Sequence, residues 1–177
     1  TAYGKLDGLY WMMINAFGVS ITTFVGQNFG AGKYDRMRRS VRVCLLMTFG
    51  ATVLMSGFFL LLGEPLYRLF TDDAQVIALG MQILRLVPTY VTYICIEVLA
   101  GAVRGTGDSL IPTLFTLTGV CLLRVAWVMG VAPAYHSLTV VLLSYPITWT
   151  ITSVLFVIYY LKGGWLKRSI SKAKLEA

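Results

Sequence analysis

"FVGQNFGAGKYDRMRR", residues 24–39, looks at first like a glycine loop closing around a phosphate. A phosphate loop sets two glycines four residues apart and follows them with lysine and a hydroxyl residue, so that backbone N–H groups and the ammonium surround the anion. Here five residues separate Gly26 from Gly32, and Tyr34 follows Lys33. The segment also trails a long apolar run rather than a strand, so the nucleotide reading fails. Its glycines belong to the end of a helix, and their purpose depends on the solvent around that helix.

Composition identifies the solvent. The 177 residues are 57% hydrophobic and only 13% charged, with a mean hydropathy of +0.74. Soluble domains run at about half apolar and about a quarter charged. A chain this apolar lives in a bilayer, where about 20 apolar residues cross about 30 Å of hydrocarbon. Five such stretches occur, at residues 8–29, 41–62, 74–103, 110–131 and 137–161, with residues 162–177 as a polar tail. The predicted fold is therefore all-α, a polytopic bundle of five transmembrane helices. The connections read as helix ends: Gly30 and Gly32 after the first span, Asp72 three residues before Gln75 as a capping box, and Ser109 as a cap with Pro112 in the first turn of the fourth span.

Charge sets the sidedness. Lys33, Arg36, Arg38, Arg39, Arg42, Arg104, Lys162, Lys167, Arg168, Lys172 and Lys174 fall on one side of such a bundle, and only Lys5 and Arg68 on the other. Positive loops stay in the cytoplasm, so the C-terminus is expected there and the N-terminus outside. The net charge of +7 is then topogenic, with some attraction for anionic lipid, and implies no nucleic-acid partner. Ends on opposite sides, and a first helix that starts almost at Thr1, suggest a C-terminal piece of a longer chain.

Cys44, Cys95 and Cys121 lie within spans without paired spacing and read as small buried hydrophobes, and the lone His136 reads as a loop residue. No metal site and no nucleophile and base pair can be assembled from these residues, so an enzyme is not expected.

The informative side chains are polar ones at membrane depth. A charge at the centre of a span costs about 2.5–3.5 kcal/mol on insertion scales, so a retained one marks a candidate functional site. Glu97, Arg85 and Arg124 meet that criterion. On a straight third helix, Tyr93, Glu97, Gly101 and Arg104 share one face, with Glu97 about 9 Å and Arg85 about 27 Å from the cytoplasmic end. Glu97 is either a structural carboxylate satisfied by Arg104, or a group in a wet cavity that takes up and releases a cation or proton. Arg124 lies level with Pro146, which frees the Leu142 carbonyl as an acceptor. Tyr145, Trp149 and Thr152 share a face that suits an aromatic wall for an organic cation, or else the fifth span's hydroxyls bond their own backbone. Ser20, Thr23, Gln27 and Gly30 line one side of the first span as a polar cavity edge. Gly26 and Gly30, like Gly101 and Gly105, form GxxxG packing faces.

The order of "VGQNFGAGKYDR", "FTDDAQVIALGMQILR" and "LAGAVRGTGDSLIPT" resembles the multidrug and toxic compound extrusion (MATE) family, antiporters of two six-helix lobes. The resemblance aligns the five spans with helices eight to twelve. It implies export of amphipathic, often cationic, small organic compounds in exchange for Na+ or H+, with no further cofactor, by rocking of two lobes within a lipid bilayer. The missing N-terminal lobe is then an obligatory partner. The family's loops correspond to Gly26, Gly30, Gly32, Arg104, Gly105, Gly107 and Pro112. Tyr93 aligns with an acidic position of the better-known branch, and Glu97 stands one turn further in, so both are ion-coupling candidates. Gln27, Thr23, Arg124, Tyr145, Trp149 and Thr152 are the cavity-lining candidates. Two alternatives stand beside export: a flippase for lipid or lipid-linked substrates, and a structural membrane module in which Glu97 and Arg124 merely pair.

Overall fold

The computed structural model describes residues 2–135 and 138–176, so His136, and Ser137 at the start of the expected fifth span, lie outside the described residues. Every regular element described is helical, as the physics of lipid requires: with no water to bond them, the N–H and C=O groups of a single crossing segment must satisfy one another. Helices α1 (Ala2–Gly30) and α2 (Tyr34–Arg68) form the first two spans. The third combines α3 (Ala74–Leu84), a 3-10 segment (Val87–Tyr93) and α4 (Ile94–Gly105). The fourth is α5 (Leu110–Thr116), a π-helical segment (Leu117–Leu122) and α6 (Leu123–Gly130), followed by the short α7 (Ala132–Tyr135). Helix α8 (Leu138–Leu161) is the fifth, and α9 (Gly164–Glu176) follows it. Five stretches are long and apolar enough to cross a membrane: Gly4–Gly30, Tyr34–Arg68, Ala74–Gly105, Leu110–Gly130 and Thr139–Leu161.

The third span is the axis of the bundle, with 56% of its apolar window buried, against 11% for the fourth, which lies on the flank. Helix α4 packs on α1, α2 and α8. Its contact with α1 is backbone to backbone. A Cβ on Gly101 would lie 2.8 Å from the Gly18 carbonyl, and one on Gly105 would lie 2.6 Å from the Thr22 carbonyl and 3.0 Å from Val25. Thr22 Oγ1 closes the seam by donating to the carbonyls of Gly18 (2.8 Å) and Gly101 (3.0 Å). The packing face of α1 is therefore Gly18, Thr22 and Gly26. The expected pairing of Gly26 with Gly30 is corrected, because Gly30 is exposed with open space around it.

The third span is not straight. Pro88 has no N–H and its ring would clash with the carbonyl four residues back, so the α-helix stops at Leu84 and the chain continues in i to i−3 bonds, Leu86 N–H to Ile83 (3.0 Å) and Thr89 N–H to Leu86 (2.9 Å). Thr89 and Thr92 hydroxyls donate to the Leu86 and Thr89 carbonyls and help satisfy the broken ladder. The third span is therefore not the straight helix assumed in placing Arg85, which is exposed at the C-terminus of α3.

Other expectations are corrected locally. Helix α2 runs for 35 residues, absorbing Pro65 and much of the expected outer loop. The cap of α3 is Asp73 rather than Asp72, its carboxylate accepting from Gln75 N–H (2.8 Å) and Val76 N–H (3.4 Å). Ser109 precedes α5 without a side-chain cap bond. Cys44 and Cys95 are half-buried, as small hydrophobes should be, but Cys121 is exposed. Gly32 (φ +68°) and Gly107 (φ +86°) adopt the left-handed conformation that ends α1 and α4, with Lys33 N–H returning to the Asn28 carbonyl at 2.8 Å. The tail, read as a polar extension, contains a docked helix. Trp165 is buried, donates from Nε1 to the Tyr160 carbonyl at 3.0 Å and stacks on the Tyr160 ring, while the Ser169 and Thr106 hydroxyls meet at 3.0 Å.

The close α1–α4 seam generates a test. Gly101→Val should lower the stability of the purified protein by about 1–3 kcal/mol through overpacking against a carbonyl that cannot move aside. Gly57→Ala, with nothing within 4 Å of the added atom, should leave the thermal unfolding midpoint unchanged or raised.

Candidate ion-coupling and substrate site

Helix α4 begins directly after the 3-10 segment, and Tyr93 and Glu97 flank that junction on one face. The Tyr93 hydroxyl donates to Glu97 Oε2 at 3.5 Å, and Arg104 Nη2 donates to Oε1 at 3.1 Å from the far end of the same helix. The Glu97 side chain is 14% exposed and that of Arg104 39%, so the pair opens toward solvent on the arginine side. Gly18 of α1 supports the carboxylate from behind: a Cβ there would collide with Oε1. The i, i+4, i+11 spacing of these side chains thus gives one contiguous polar group. Glu97 does not pair with Arg124.

Arg124 lies against α8. Its guanidinium sits 4.0 Å from the Tyr145 ring centroid and 5.7 Å from that of Trp149, and Nη2 donates to Thr148 Oγ1 at 3.3 Å. The expected donation to the Leu142 carbonyl is replaced by this aromatic seat, and Nε is buried without a hydrogen-bond partner among the described residues. The π-helical segment immediately before α6 re-aims the residues that follow it, which is how π turns commonly act at functional sites.

Trp149 is the hub of an aromatic cluster. Edge-on contacts join it to Tyr90 (5.0 Å), Tyr93 (5.5 Å), Tyr145 (5.5 Å) and Trp11 (6.0 Å). Trp149 and Thr152 are buried in the bundle and Tyr145 is 40% exposed, so of the three only Tyr145 presents an open surface. Thr152 donates to the Thr148 carbonyl at 2.7 Å and packs on Gly119, and Ser144, Thr148 and Thr150 likewise bond backbone carbonyls of their own helix. These hydroxyls serve the helix, while Ser153 crosses to donate to the Thr92 carbonyl. On α1, Ser20, Thr23, Gln27 and Gly30 form an exposed stripe, with the Ser20 and Thr23 hydroxyls turned onto their own backbone.

One acidic group was not anticipated. Asp7 receives the Tyr90 hydroxyl (2.5 Å) through Oδ1 and Trp11 Nε1 (3.1 Å) through Oδ2, fastening α1 to the 3-10 segment beneath the aromatic cluster. The i, i+4 spacing of Asp7 and Trp11 is visible in the sequence, but the distant Tyr90 is not. Arg104, Glu97, Tyr93, Trp149, Tyr145 and Arg124 therefore form a continuous series of contacts from a carboxylate to an aromatic-bound cation.

The family model MatE matches residues 4–129. The chain belongs to the MatE family. Its similarity to the MatE protein named "Probable multidrug resistance protein NorM" of Thermotoga maritima is 28% identity over 94% of this chain and 36% of that protein. "Multidrug and toxin extrusion protein 2" of Oryctolagus cuniculus is 33% identical over 55% of this chain and 16% of its own length. "Multidrug resistance protein MdtK" of Edwardsiella ictaluri is 25% identical over 74% of this chain and 28% of its own. The chain spans about a third or less of the length of these MatE relatives.

The aromatic hub can be tested in isolation. Trp149→Ala should lower stability by about 3–5 kcal/mol, read as a fall in the thermal unfolding midpoint in detergent, since four ring contacts and a buried volume go together. Tyr145→Phe, which retains the ring under Arg124, should leave the midpoint unchanged.

Proposed function

We propose that this chain supplies the C-terminal lobe of a multidrug efflux antiporter of the cell membrane, working against an N-terminal lobe to export amphipathic, often cationic, organic compounds in exchange for Na+ or H+. The reading rests on family membership and on one observation above others: a carboxylate retained within a membrane span, seated between Tyr93 and Arg104 with its arginine side open. A charge so placed is costly to bury, and its retention points to a use.

The geometry supports an exchange reading. In the described arrangement Arg104 is the counter-ion of Glu97. An entering Na+ or proton competes with the guanidinium for the carboxylate and frees Arg104 to swing toward solvent, while the Tyr93 hydroxyl is drawn or released as its acceptor changes. Tyr93 also packs on Trp149, which backs the Tyr145 ring, so occupancy at Glu97 bears mechanically on the wall offered to an organic cation. Arg124 already occupies the face of Tyr145, in the manner an organic cation would use it. Substrate entry then requires Arg124 to withdraw, breaking its long hydrogen bond to Thr148 and giving up the Tyr145 ring to the substrate. The polar stripe of α1, with Thr23 and Gln27, supplies an edge of the cavity facing the other lobe. The basic end of the bundle, including the C-terminus, is cytoplasmic by the distribution of lysine and arginine.

The intact transporter in proteoliposomes tests the proposal. Glu97→Gln should abolish substrate export driven by a Na+ or proton gradient, a loss of at least about a hundredfold given a charge that cannot be replaced, with folding and substrate binding retained. Unchanged gradient-driven flux would remove Glu97 from the mechanism, and simple unfolding of the variant would favour a structural ion pair with Arg104.

A further inference from the structure

Outside the site described, the strongest concentration of unused charge lies where α2 and α9 begin. A cleft of about 680 Å³ opens between them, lined by Lys33, Arg36, Arg38, Lys162 and Lys167, with Asp35 as its one carboxylate. The ion pairs found among the described residues, Arg68 with Glu64 and Arg104 with Glu97, use none of these five cations. Arg36 lies over the Phe24 ring at 5.8 Å. Helix N-termini contribute as well. Lys33 caps α2 without a side-chain hydrogen bond to its first turn, and Lys162 and Gly163 lead directly into α9, so two helices of 35 and 13 residues direct their positive ends toward the same space.

Beside the cleft, a second cavity of about 460 Å³ runs between α2, α4 and α8, walled by Val41, Leu45, Leu99, Val157 and Leu161, with Arg42 as a further cation on its lining. The two share Arg38, Gly163 and Leu166 as lining residues, so cationic head space and largely apolar groove adjoin. The Tyr160 hydroxyl, on the groove's wall, is buried without a hydrogen-bond partner among the described residues.

We infer that this composite cavity binds an anionic phospholipid of the basic-side leaflet, its phosphate among the cations at the mouths of α2 and α9 and an acyl chain in the groove beside Leu45 and Leu99. A free phosphate would use the upper cleft alone and leave the groove unfilled. The lipid matches both halves and joins the docked α9 to α2. This assignment stands on the cavity and its charges, independently of any role for Glu97 in transport.

The test uses the full chain in nanodiscs, with phosphatidylglycerol titrated into phosphatidylcholine and bound lipid counted by native mass spectrometry. Lys33, Arg38 and Lys167 are exposed, so replacing them with glutamine leaves the core intact. Each such change should weaken phosphatidylglycerol binding about fivefold, and all three together about a hundredfold. The control triple Arg168→Gln, Lys172→Gln and Lys174→Gln removes equal charge from α9 outside the cavity and should leave binding nearly unchanged. Leu45→Trp, which fills the groove without altering charge, should also release the lipid. Equal losses in cleft and control triples would reduce the effect to diffuse surface charge and overturn the site. Displacement of the lipid by inorganic phosphate, or full retention in Leu45→Trp, would show a free-anion cleft and overturn the lipid assignment.

Discussion

The contact between α1 and α4 is the constraint on which the rest of the molecule depends. In hydrocarbon there is no gain from hiding apolar surface, since lipid tails are as apolar as leucine, and helices associate through close packing and hydrogen bonds. Gly18, Gly101 and Gly105 let the two backbones approach until carbonyls lie where side chains would stand, and Thr22 bonds across the seam. The same approach leaves a recess at Gly18 into which the Glu97 carboxylate fits. Packing and the seat of the Glu97 carboxylate are thus one arrangement: the small residues that hold the helices together also make room for the charge.

Departures from the α-helix are concentrated where the candidate side chains lie. Pro88 forces a 3-10 turn that ends at Tyr93, beside Glu97, and a π-helical stretch ends just before Arg124. Each frees or displaces backbone groups that hydroxyls then satisfy, Thr89 and Thr92 in one case and Thr118 in the other. Threonine at these breaks serves that local purpose, and elsewhere its hydroxyl bonds the carbonyl four residues back. Its abundance alone is weak evidence of a polar cavity, as Thr152, bonded to its own helix, illustrates.

Much of this was legible in the chain itself. Apolar runs of about 20 residues state their solvent directly, and all five spans appear, because hydropathy needs no tertiary knowledge. The Tyr93, Glu97 and Arg104 face was equally legible, since 3.6-residue periodicity fixes neighbours along one helix. Contacts between helices were not. Which glycine pair forms the seam depends on the crossing point, so Gly18 was missed and Gly30 was given a partner it lacks. Arg124 was assigned a carbonyl because proline frees one; the ring of Tyr145 won by proximity that only the fold provides. Helix α9 escaped notice because its apolar side, Trp165, Leu166 and Ile170, is too short to stand out among lysines.

The hydroxyl bridge from Thr106 to Ser169 has a mechanical corollary. It fastens α9 to the end of the very helix that carries Glu97, while Trp165 clamps the start of α9 to α8. A tilt of either helix therefore pulls on α9 through one of these two fastenings, so this last helix is tied to the bundle rather than trailing from it.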